Sequence, residues 1–162
     1  LARKLQDREN LALALSNLAS VAIDAGELDI ARGQLDEALA LVHVVGSAYV
    51  QSAVLEEVAR LELALGNVDQ ANTQALAALR AATEHRLVDP QLHALVTLAT
   101  IRRAPDAQAA ARIIAMVERH PARLSTVQSR MKPVMRDLSG ASLERARTWA
   151  MEVNFDEWVK SV

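Results

Sequence analysis

The chain is predicted to be all-α, a stack of antiparallel helix pairs, and three observations carry that prediction. Its composition is 51% hydrophobic but only 2% aromatic, so its apolar content is mostly Ala, Leu and Val. Ala and Leu favour helices because they lose little side-chain freedom there. Five Gly and four Pro are too few for the many tight turns of an all-β chain. Most telling is an internal repeat. Gly26-Glu27-Leu28-Asp29-Ile30-Ala31 returns as Gly66-Asn67-Val68-Asp69-Gln70-Ala71, forty residues later.

The same offset aligns the segments before each glycine. Leu18, Val58 and Leu98 correspond, as do Ala19, Ala59 and Ala99, and Val21, Leu61 and Ile101. Leu1 to Asp7 fall in register with Leu41 to Ser47. Residues 1–7 are therefore expected to be the tail of an earlier helix whose partner lies upstream, in a chain excised from a longer protein.

Within the first unit, residues 8–46, Leu11, Leu15, Leu18, Ala19 and Ala22 form one apolar stripe, with Ser16, Ser20 and Asp24 off it. Gly26 accepts the left-handed conformation that closes a helix end. A second helix starts near Asp29 and carries Ala31, Leu35, Ala38, Leu39 and Val42. The second unit, 47–86, repeats the plan with Leu55, Val58, Ala59 and Leu61, then Gly66, then Ala71, Ala75, Ala78 and Leu79. Small residues at the crossing points let helix axes approach closely, and each pair must stack on a neighbour to bury its remaining apolar face.

The third unit, 87–120, departs from the pattern. Asp89-Pro90 opens a helix through Leu92, Leu95, Leu98, Ala99 and Ile101. Ala104-Pro105-Asp106 replaces the glycine turn and starts a helix through Ala110, Ile113, Ile114 and Val117. Residues 121–162 read as a C-terminal helical cap. Ser125 to Leu138 is a helix that Pro133 should kink or split near Lys132. Ser142 is expected to cap a helix through Leu143, Ala146, Trp149 and Ala150, and Asn154 to cap a last short one. Trp149, Phe155 and Trp158 concentrate here, either as a cover for the last pair or as an exposed hot spot for a partner.

Leu15, Leu18, Ala19, Ala22, Ala31, Leu35 and Ala38, with Leu55, Val58, Ala59, Ala71, Ala75 and Ala78 in the second unit, resemble the tetratricopeptide repeat. The spacing of forty exceeds the roughly 34 residues of the standard repeat. Glu62 stands where a small or aromatic residue is usual, and His43 and Thr83 stand where proline is usual. Lengthened repeats of this kind look like those of bacterial signalling ATPases and LuxR-type or related transcriptional regulators. The resemblance implies a right-handed superhelix and a protein-interaction or sensor module. Its concave face would be lined by the first helix of each pair: Leu13, Ser16, Ser20, Ile23 and Asp24, then Ala53, Glu56, Arg60 and Leu63, then His93, Val96, Thr100 and Arg103. A helix or extended peptide would lie there, unless the face packs against other parts of the same polypeptide. A structural spacer or homo-oligomerisation scaffold is the alternative.

The chemistry of other functions is missing. No glycine-rich phosphate loop and no HExxH pattern occurs, and the four His residues read as surface or cap residues. No catalytic residue, cofactor or metal is expected. Adjacent carboxylates, Asp36/Glu37, Glu56/Glu57 and Asp156/Glu157, point about 100° apart on a helix and do not converge as acid and base. Glu56 and Arg60, at i and i+4, are expected to form a surface ion pair.

The net charge of −2 hides an asymmetry: 7 Lys/Arg against 13 Asp/Glu in residues 1–100, and 11 against 7 in residues 101–162. Arg102, Arg103, Arg112, Arg119, Arg123, Arg130, Lys132 and Arg136 bias the C-terminal part basic, but no aromatics interleave with them for base stacking. Nucleic-acid binding is not expected. With no cysteine, no disulfide or thiolate metal site forms, which fits the reducing cytoplasm, the expected location. No signal peptide and no uncharged apolar run near 18 residues in length is present, so no membrane partner is expected either.

Overall fold

The computed structural model describes residues 2–122 and 124–162. Helices account for nearly all of it, and no strand forms among the described residues. The order is α1 (Ala2–Ala25), α2 (Leu28–Val45), α3 (Ala48–Ala64), α4 (Val68–Glu84), α5 (Val88–Arg102), α6 (Ala107–Arg119), α7 (Ser125–Asp137), α8 (Gly140–Ala150) and the single turn α9 (Phe155–Trp158), extended by a 3₁₀ turn, Val159–Ser161. No helix among them is long and apolar enough to cross a membrane.

Three helix pairs, α1–α2, α3–α4 and α5–α6, pack in sequence, each first helix also lying against both helices of the pair before it where one precedes. The links are short because the backbone reverses at once. At Gly26 (φ +78°) and Gly66 (φ +83°) the chain enters the left-handed region. The next amide then bonds back five residues, Glu27 N–H to Ala22 O and Asn67 N–H to Glu62 O, both at 2.8 Å. The link from α4 to α5 makes the same closure, with Leu87 N–H donating to Ala82 O at 2.8 Å. There Arg86 takes φ +55°, a conformation that costs a non-glycine residue about 1 kcal/mol. At the third turn Asp106 does by capping what glycine does at the first two, its carboxylate accepting from Ala109 N–H at 2.9 Å.

Small residues sit at the helix crossings as expected: Ala19, Ala59 and Ala99 are all fully buried, as are Ala31, Ala71, Ala75 and Ala78. The forty-residue register also explains who is covered. Leu98 and Ile101 on α5 are buried beneath the pair before them, while their equivalents on α1, Leu18 and Val21, are 54% and 68% exposed. α5 packs against α3, α4, α6 and α7, and it is apolar on nearly all sides.

Three local expectations are corrected. Residues 2–7 are not the tail of a separate helix; they run without a break into α1, and Leu1 lies outside the described residues. α2 stops at Gly46 (φ +68°), but the equivalent position in the first segment is Gln6, which has no reason to leave the helix. Pro133 does not split its helix, and α7 continues to Asp137. Ser139, not Ser142, caps α8, its hydroxyl accepting from Ser142 N–H at 3.2 Å.

The C-terminal segment closes one end of the stack. α7 and α8 do not make a fourth pair: α7 packs on α5 and α6, and α8 packs on α6. Trp149, Phe155 and Trp158 are half-buried against the core rather than displayed. Trp149 and Trp158 meet edge to face at 6.2 Å, and Arg112 lies over the Trp149 ring at 5.2 Å. Arg119, at the end of α6, donates to the carbonyls of Ala150 and Val153, satisfying the open end of α8.

Candidate functional site

All eight residues singled out for the inner face, Ser16, Ser20, Asp24, Glu56, Arg60, His93, Thr100 and Arg103, line connected cavities beside α1, α3 and α5. The cleft is not open along its length. α7 lies over it, and its Ser129, Arg130, Pro133 and Val134 form the opposite wall of a cavity of about 450 Å³. Ile23, Leu63 and Val96 give that cavity an apolar floor, with Thr97, Thr100 and Ser129 as hydroxyl residues around it.

Arg130 is the residue that sequence reasoning missed. It reaches from α7 to Glu56 on α3, donating to both carboxylate oxygens, through Nη1 to Oε2 at 3.2 Å and through Nη2 to Oε1. Thr97 Oγ1 donates to the same carboxylate and accepts from Arg130 Nη2 at 2.9 Å. Glu56 is only 4% exposed, so the expected surface ion pair between Glu56 and Arg60 does not form. Burial by itself would raise the Glu56 pKa. The charge and hydrogen bonds of Arg130 and the Thr97 hydroxyl outweigh it, holding the carboxyl down at about 2.

Arg60 turns the other way. Its Nη1 donates to Glu57 Oε2 and to Ser20 Oγ, both at 2.6 Å, and its Nη2 pairs with Asp24 on α1. Glu56 and Glu57 thus diverge to different arginines, as adjacent positions on a helix must, yet they remain electrostatically coupled. Burial first, and then the charge of Glu56, push the Glu57 carboxyl up to about 7 against the pull of Arg60.

Because that pKa is raised in the folded state, the stability Glu57 contributes is fully present below its ordinary value of 4.5. It is lost as pH rises through about 7. Glu57→Gln is expected to remove this loss, making the variant more stable than the parent at about pH 8. The gain is up to about 1.4 kcal/mol for each pH unit of the shift. Urea denaturation at about pH 5 and pH 8 checks it, and an unchanged pH dependence refutes it.

His93 completes the network. Arg130 Nη1 donates to its Nδ1 at 2.8 Å, so the ring proton sits on Nε2, 3.4 Å from Thr126 Oγ1 and 3.7 Å from Asp89. Burial first, and then Arg130 against the opposing charge of Glu56, lower the His93 pKa and keep the ring neutral. Thr100 turns its hydroxyl back to Val96 O at 2.8 Å, and Arg103 pairs with Asp137 at 3.1 Å.

The basic residues are largely consumed. Arg103, Arg119 and Arg130 are bonded within the chain, Arg112 stacks on Trp149, and Arg123 lies outside the described residues. No group of three or more His, Asp or Glu among the described residues is placed to hold a metal ion. Comparison with protein-family models, curated proteins and solved structures gives no match.

Proposed function

We propose that this chain is a protein-interaction or sensor module of a larger bacterial signalling or transcriptional regulatory protein. In this reading the cleft beside α1, α3 and α5 holds a peptide or a helix, within a superhelix of the tetratricopeptide kind. The observation that carries the reading is the convergence of eight polar positions from three successive pairs onto one cleft with an apolar floor. Apolar contact with a few placed polar groups is the way grooves of helical proteins hold a segment. A structural spacer or oligomerisation scaffold is the second reading. It is favoured by α7, which already covers part of the cleft through the pair between Arg130 and Glu56.

Helical and extended peptides selected from a random library against the intact chain test the first reading. Bound peptides are expected to perturb the amide resonances of Ser20, Asp24, Arg60 and Thr100, and Thr100→Trp, which fills the cavity, is expected to abolish that effect. Peptides that bind elsewhere, or a stable dimer in native mass measurements with the cleft at its interface, would favour the scaffold and overturn the sensor reading.

A further inference from the structure

A smaller cavity opens beside the network, between α1, α3 and the start of α5, with a volume of about 130 Å³. That is below the roughly 300–1,000 Å³ of sites that enclose a small molecule, yet several times the roughly 30 Å³ that a water occupies in the liquid. One ammonium or guanidinium group fits such a space.

Two carboxylates, Glu57 and Asp89, face it with Ser16, Asn17, Tyr49 and the His93 ring. Ser16 is 3% exposed, and its hydroxyl takes part in no side-chain hydrogen bond with the described residues. Asp89 Oδ1 is buried with no hydrogen-bond partner, the His93 ring at 3.7 Å being too far to serve. Buried polar atoms are nearly always satisfied, so the open Asp89 oxygen at this cavity points to an occupant that donates.

The charge count agrees. Of the two guanidiniums in this region, Arg130 is taken by Glu56 and Arg60 is divided between Asp24 and Glu57, which leaves Asp89 without an arginine. The neutral His93 adds no cation. A lysine ammonium carries three donors and no acceptor, which matches Glu57, Asp89 and Ser16. α7 shows what the same cleft accepts from a helix, since its Arg130 satisfies Glu56 one step away.

We infer that the cavity lined by Ser16, Tyr49, Glu57 and Asp89 is a subsite for a cationic side chain, lysine or arginine, of the segment that lies in the cleft. The inference rests on the binding role proposed above and specifies its partner as one that carries a basic residue.

The probes are N-acetyl-lysine-methylamide and N-acetyl-arginine-methylamide, with the neutral isostere N-acetyl-norleucine-methylamide as control, each titrated into the intact chain and followed by amide chemical shifts. At least one cationic probe is expected to give saturable, millimolar shifts at Ser16, Tyr49 and Glu57, the stronger of the two naming the residue. The norleucine probe is expected to give none. Glu57→Gln and Asp89→Asn, each checked for an intact spectrum, are expected to weaken binding by about tenfold, the worth of one charge-assisted hydrogen bond.

Equal shifts from norleucine, no saturable shift from either cation, or binding indifferent to both variants would overturn the subsite. If library peptides still perturb Ser20 and Arg60, the subsite falls alone. If they do not, the binding role falls with it.

Discussion

Arg130→Ala is expected to destabilise the chain by about 3–5 kcal/mol, the effect of leaving a buried carboxylate without its cation. Glu56 is enclosed, and among the described residues its hydrogen bonds come from Arg130 and Thr97. Removing the guanidinium therefore confronts Glu56 with three outcomes: protonation, water entry, or release of α7. The last is directly visible as faster hydrogen exchange across Ser125–Asp137. Replacing both partners by methionine is expected to restore most of the loss, because it removes the buried charge together with its partner.

The pH dependence has a definite sign. The Glu56 pKa is held low, so its contribution is present above the ordinary carboxyl value of 4.5 and is lost as pH falls through about 2. In Arg130→Ala burial is left to raise the Glu56 pKa, so the acid-side loss should vanish and the deficit of the variant should shrink as pH falls. A single variant that loses less than about 1 kcal/mol, the range of an exposed pair, would show that Arg130 is an ordinary surface residue.

Leu98→Ala is the second large effect, expected at about 2–5 kcal/mol, while Leu18→Ala should cost under about 1 kcal/mol. The two leucines occupy the same place in the forty-residue repeat. Leu98 is fully enclosed by the helices around α5, whereas α1 has no described pair in front of it and Leu18 stands half in solvent. The contrast isolates the contribution of the neighbouring pair from that of the side chain itself. Denaturant midpoints of the two variants measure it, and similar losses would contradict the enclosure of α5.

The sequence made the helix pairs legible because their signals are local. Gly26 and Gly66 mark reversals, Asp106 caps, and the apolar stripes between them have helical spacing. The same local logic misread residues 2–7. Leu1–Asp7 match the end of α2 in register, but Gly46, which ends α2, corresponds to Gln6.

The positions on the cleft were legible too, since the repeat places them on one side of each first helix. Their partners were not. Glu56 looks along its own helix to Arg60 at helical spacing, and nothing nearby in sequence reveals that Arg130, seventy-four residues on, wins it. Arg130 belonged to a run of basic residues that suggested a charged surface, and only the return of α7 over α5 turns it inward. The raised Glu57 follows from that same distant contact, because a buried Glu56 must stay ionised for it to act on its neighbour.

The exposed side of α1 has a consequence for how such a chain lengthens. Leu11, Ala14, Leu18, Val21 and Ala25, spaced alternately by three and four residues, run as one uncovered apolar seam. At the opposite extremity, Trp149, Phe155 and Trp158 seal the last pair with bulky rings and a stacked arginine. The stack is therefore polar in the sense that a crystal face can be. A helix pair appended ahead of α1 would find a matching surface ready, while one appended beyond α9 would first have to displace a finished edge.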